Sequence, residues 1–182
     1  MDLRSAARTG VWVLAIAAIT GCGGNSGPTA PTNVECSVTL KGKVAGTLSC
    51  ASFNGTYNRS SNTVQVDAGN VSGTVTVNGV STTATLTTDL VYAGDLAVKT
   101  YAASDSLARP DVIVQLADQA TWEAYRGNGF NVGTSKLIIT NVGTASATSS
   151  GTTYSSIHGT LTAIMPAAGN GATGVDTLTA TF

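Results

Sequence analysis

Charge is scarce in this sequence. Only 10% of its 182 residues are Asp, Glu, Lys or Arg, against about 25% in ordinary soluble domains. No basic stripe exists. Nucleic-acid binding, which rests on clustered Lys and Arg, therefore has no electrostatic footing. Histidine is nearly absent too: His158 is the single one. Nucleophilic hydrolysis needs a Ser or Cys beside such a base. His158 lies in Ile157-His158-Gly159-Thr160-Leu161, on the parity of Thr160 and Thr162, and is expected as a surface residue of a strand. No G-x-S-x-G, S-x-x-K or H-E-x-x-H occurs, and no phosphate loop or dinucleotide fingerprint, so no cofactor is expected. The three cysteines match no zinc spacing, and a D-x-[DN]-x-[DN]-G calcium loop is missing, so no metal site is expected.

A long apolar run is missing as well. Val11–Ile19 is too short to span a bilayer, which takes about 20 apolar residues. Preceded by Arg4 and Arg8 and followed by the small residues Thr20 and Gly21, it has the form of a secretory signal peptide. Ile19-Thr20-Gly21-Cys22 resembles the lipobox of bacterial lipoproteins. The resemblance implies cleavage before Cys22, a diacylglyceryl thioether on its sulfur and acylation of its new amino group. Two or more acyl chains hold a protein stably where one does not. Gly23, where inner-membrane lipoproteins tend to carry Asp, implies the outer membrane. The expected organisation is a signal peptide over 1–21, a lipidated Cys22 with a flexible linker over 22–33, and one all-β domain over 34–182. The Gly/Ser/Pro/Thr composition of residues 23–33 gives a reach of about 15–20 Å.

Once Arg4, Arg8 and Asp2 are removed from nine basic and ten acidic residues, seven and nine remain, so the mature domain is nearly neutral. Thr, Ser and Gly fill the polar positions, which suits sheet with an uncharged outer face. Cys36, Val38 and Leu40 alternate with polar residues, and Leu48 and Cys50 share a parity. An antiparallel hairpin with Cys36 opposite Cys50 also sets Val38 against Leu48 and Leu40 against Gly46. Export to an oxidising compartment makes a Cys36–Cys50 disulfide the expectation. Asn78-Gly79, between two alternating runs, predicts a type I′ hairpin pairing Val77 with Val80 and Val71 with Leu86. Asn54-Gly55 is a second candidate turn. Further strands are expected at 62–67, 86–92, 97–101, 112–116, 136–142, 154–165 and 175–182. Residues 117–125 (ADQATWEAY) have the composition of one short helix. Short strands without intervening helices predict an antiparallel β-sandwich, with an up-and-down β-barrel as the alternative.

Asp89, Asp95, Asp105, Asp111, Asp118 and Glu123 are scattered, and the bland reading is solvated turn carboxylates. Trp122 and Tyr125, beside Arg126-Gly127-Asn128-Gly129, are candidate binding aromatics; packing onto the core is the rival reading. A terminal Phe182 is reminiscent of outer-membrane barrels, but Asp176 would then meet lipid, so a core strand with Leu178, Ala180 and Phe182 inward is expected. In anchor, size and strand style the mature region is similar to small all-β envelope lipoproteins. The expected function is a non-catalytic binding or structural module tethered to the membrane, its protein or carbohydrate partner open. The rivals are a lipocalin-like carrier with an apolar cavity and a carboxylate-dependent hydrolase with two converging acids.

Overall fold

The computed structural model describes residues 36–69, 71–103, 110–127 and 130–182, which all fall in the unit Asn33–Phe182. They form strands β1 (Cys36–Lys41), β2 (Val44–Cys50), β3 (Phe53–Asn58), β4 (Thr63–Asp67), β5 (Val71–Val77), β6 (Val80–Ala93) and β7 (Thr100–Ala102). These are followed by β8 (Pro110–Leu116), β9 (Thr121–Gly127), β10 (Phe130–Val132), β11 (Thr134–Asn141), β12 (Thr144–Ala147), β13 (Gly151–Gly169) and β14 (Val175–Thr181). No α-helix occurs among the described residues.

Eight strands close a barrel. Around the ring, β1 pairs with β2, β2 with β5, β5 with β6, β6 with β8, β8 with β9, β9 with β13, β13 with β14, and β14 with β1, all antiparallel. The ring strands follow chain order, so the barrel is four successive hairpins. Their four turns gather at one end. Cys36, where the described chain starts, lies at the other end, beside Thr181 and Phe182. The remaining strands lie outside the ring. β3 and β4 bridge the far portions of β6 and β13. β11 and β12 flank β13, β7 edges β11, and β10 edges β9.

The expected β-sandwich is thus corrected to a closed antiparallel barrel, the alternative architecture. A sandwich and a barrel share the same alternation; only the closing pairs distinguish them. The short helix expected near 117–125 is also corrected. Residues 117–120 form a turn, with Gln119 at φ 73° and Asp118 Oδ1 accepting the Ala120 N–H at 3.1 Å, and β9 follows. There Trp122 and Ala124 are buried while Glu123 and Tyr125 are half-buried on the other face. Pairing with β8 and β13 overrides the helical composition. Asn54-Gly55 is no turn but lies inside β3, with Gly55 opposite Val66 and Tyr154. Of the strand expected at 97–101, only its last two residues belong to β7.

Both predicted hairpin registers are present. Cys36 faces Cys50, Val38 Leu48 and Leu40 Gly46; Val77 faces Val80 and Val71 Leu86. The Cys36–Cys50 disulfide is formed, with Cα atoms 4.9 Å apart, inside the span such a bond tolerates. Inward residues fill the ring: Val38, Leu48, Val75, Leu86, Val114, Trp122, Leu161 and Leu178 are each buried. Neighbouring walls touch even at glycine. A Cβ added to Gly73 would stand 2.9 Å from Leu48 Cδ2. Eight strands enclose a space just wide enough for such side chains.

Leu86 and Leu178 are at most 1% exposed. Leu86→Ala or Leu178→Ala is expected to cost about 2–5 kcal/mol through lost burial and the cavity left behind. Urea unfolding of variant and wild type measures this; a loss below about 0.5 kcal/mol, typical of surface sites, would contradict the inward placement.

Candidate functional site

Of the residues singled out by sequence, Cys36 is joined to Cys50 and Asp89 faces Asp111, but the described ones do not converge on a single site. Cys22 and Asp105 lie outside the described residues. Cys36 and Cys50 staple the first hairpin at the entry end. Trp122 is 2% exposed; it points into the barrel and donates its Nε1–H to the Thr173 carbonyl at 3.3 Å. Tyr125 lies on the opposite face of β9, half-buried beside a cleft of about 80 Å³ that Pro110, Arg126 and Val132 also line. Strand geometry puts residues three apart on opposite faces, so Trp122 is a core residue and the two do not form one binding surface. Asp89 and Asp111 face each other across β6 and β8, Asp95 lies in the loop before β7, and Asp118 and Glu123 belong to the next hairpin. No three His, Cys, Asp or Glu residues converge on a metal-sized site among the described residues. His158 is half-buried on the outward parity of β13, opposite Asn141.

Asp95 is held in a clasp. Its Oδ1 accepts the Tyr154 hydroxyl at 2.7 Å and the Leu96 N–H at 2.7 Å. Tyr101 Oη accepts the Ala97 N–H at 2.7 Å, and Lys99 Nζ stands 4.4 Å above the Tyr101 ring. Burial first, then the Asp95 hydrogen bond and charge, push the Tyr154 phenol up to about 12. A phenol so reluctant to ionise, donating to a carboxylate already engaged by the backbone, pins the loop to β13. It is poorly placed to exchange protons with a substrate near neutral pH.

Asp176 is the one fully buried carboxylate among the described residues. It sits at the turn end, where the Val44 N–H donates to both its oxygens at 3.0 and 3.2 Å. Gly42, at φ 133°, passes directly over it; any Cβ there would overlap Asp176 Oδ1. Burial pushes the Asp176 carboxyl up, opposed by the Val44 and Lys43 N–H groups and the Lys43 charge. Lys43 packs its stem against Gly174. The carboxylate thus ties the first turn to β14 and fixes where Lys43 stands.

The chemistry left to the surface is concentrated on the outer wall β2–β1–β14–β13–β11. One row across it reads Ser49, Ser37, Thr181, Thr160; the next reads Thr47, Thr39, Thr179, Thr162 and ends on Lys136. A third reads Lys41, Thr177, Ile164, Thr134. Neighbours in a row are about 4.8 Å apart and rows roughly 6.7 Å apart. An open groove of about 390 Å³ runs among Thr134, Lys136, Thr162, Ile164, Thr177 and Thr179. A second, of about 510 Å³, lies between Lys43, Asn78, Gly79 and Val175 at the turn end. Among the described residues this wall carries Lys41, Lys43 and Lys136, and its only side-chain carboxylate is the buried Asp176. Asp67, Asp89, Asp111, Asp118 and Glu123 all sit on or beside β4, β6, β8 and β9. The wall thus exposes lysines and no side-chain carboxylate among the described residues, whereas β4, β6, β8 and β9 mix carboxylates with Arg126. Sequence reading passed over the three lysines because Lys136 is far in the chain from Lys41 and Lys43; assigning parity and ring order places all three on one wall.

The raised Asp176 carboxyl fixes the sign of a pH effect. The folded state holds this proton more tightly than the unfolded chain, whose value is near 3.8. The group's contribution to stability is therefore fullest below that value and declines as pH rises through the folded one. Asp176→Asn is expected to remove this decline. Urea midpoints of both proteins between about pH 3 and 7 check it; parallel profiles would contradict the burial argument. No protein family, curated protein or solved structure matches this chain, so what it does is to be read from its own surface.

Proposed function

We propose that the chain is a non-catalytic binding or structural module of the bacterial envelope, held at the outer membrane by lipid on Cys22. The observation that carries this reading is the contrast between inside and outside. Among the described residues the barrel interior is packed with apolar side chains, which favours a filled core over a lipocalin-like cargo cavity. None of the grooves described above is lined by the two carboxylates a glycoside hydrolase uses. What is left for a partner is the outside, where the grooves and lysines lie. The tether rests on Ile19-Thr20-Gly21-Cys22, whose resemblance to a lipobox supplies the anchor. The chain also enters the barrel at the end opposite the four turns, so a tether there leaves the turn end and the wall accessible.

Cys22→Ser removes the thiol that takes the lipid. Expressed in a bacterium, wild type is expected in the membrane fraction and the variant in the soluble envelope fraction. Equal membrane association of the two would overturn the anchor.

A further inference from the structure

We infer that the basic wall binds an anionic polysaccharide, a polymer of sugar rings carrying carboxylate or phosphate groups. The inference rests on the envelope-module reading and names its ligand class. Three observations carry it. First, Lys41, Lys43 and Lys136 stand on one wall whose only side-chain carboxylate among the described residues is buried, so the side-chain charge it exposes has one sign and suits an anion. Second, two rows of four Ser or Thr residues cross β2, β1, β14 and β13 without interruption. Each hydroxyl both donates and accepts, as sugar hydroxyls do. Third, the two grooves both border β14, one at Val175 and the other at Thr177. Extended grooves suit a chain better than a compact solute.

The details choose among polymers. Ile164 and Val175 are each 51% exposed and offer small apolar contacts to ring faces. The wall presents no exposed aromatic ring among the described residues. Stacking, which supports binding to single-stranded nucleic acid, is therefore unavailable, and so is the platform a neutral glycan would use. Charge must supply what stacking does not, which favours an acidic glycan. A second copy docking its carboxylates here is the competing occupant; of Asp67, Asp89, Asp111, Asp118 and Glu123, Asp118 alone is exposed and the others are half-buried in strands.

The test uses the full chain extracted in nonionic detergent, with polygalacturonate, dextran and polyaspartate each immobilised on a resin. Retention on polygalacturonate at low ionic strength is expected, with release as salt shortens the Debye length to a few ångströms. Dextran should retain nothing and polyaspartate distinctly less. The triple variant Lys41→Glu, Lys43→Glu, Lys136→Glu should bind polygalacturonate about tenfold more weakly or worse. A triple Lys→Gln variant guards against misfolding and should fall between. Thr83→Lys, at an exposed position of β6 across the ring, should bind as wild type does. The proposal is overturned by no retention, by equal retention on dextran or polyaspartate, or by indifference to both lysine triples. Self-association in sedimentation that the lysine triple abolishes, without glycan retention, would assign the wall to a second copy instead. Because the assay is done in detergent, a failure of the Cys22 anchor is read separately, in cell fractionation.

Discussion

The barrel hangs on two narrow seams. Between β9 and β13 the ladder consists of Ala167 opposite Trp122 and Gly169 opposite Thr121. Between β2 and β5 it consists of Val44 opposite Val77 and Ala45 opposite Thr76. Every other ring pairing is longer. Without these seams β9 and β5 would each present a free edge of unpaired N–H and C=O groups, costly if buried and adhesive if exposed. With them the sheet meets itself, its inner face becomes a core and its outer face a continuous wall.

Side chains reinforce what so few backbone bonds begin. At the first seam Trp122 fills the interior and reaches the Thr173 carbonyl; the β13–β14 turn that carries this carbonyl is itself folded by Ala167 N–H donating to Gly174 O at 3.0 Å and Ala172 N–H to Gly169 O at 3.1 Å. At the second seam Val44 is the inward residue of the pair, and its N–H is the one that Asp176 holds. Asp176 therefore joins β14 to the start of β2, next to the point where β2 meets β5. Deep burial of a carboxylate is normally adverse, yet here both oxygens accept the Val44 N–H. The tight fit under Gly42 leaves no space for a substitute of another shape.

Much of this was legible in the sequence, because alternation with a period of two reports which residues share a face. The Cys36–Cys50 and Val71–Leu86 registers follow from hydrophobic pairing and turn chemistry alone, both local properties. Closure is not local. Two residue pairs at each seam leave no trace in composition, and the 117–125 stretch, with three alanines beside Gln119 and Glu123, reads as helix until β8 and β13 are placed on either side of β9. For Trp122 the sequence offered a binding aromatic or a core one, and β9's pairings turn it inward, as core packing requires. The lysine wall needed ring order before Lys41 and Lys136, nearly a hundred positions apart, could be set on one surface.

Closure also gives the domain a direction. β1 is about 20 Å long by strand rise. The wall runs along the barrel's side from the entry end, at Ser37 and Thr181, to the turn end, at Lys43 and Val175. Lys41 and Lys43 stand at the turn end, Lys136 in the middle row, and the entry row across β2, β1, β14 and β13 carries hydroxyls. The pull of a charged surface decays within a Debye length, so the two lysines at the turn end are the part of the wall least affected by whatever charge stands at the entry end.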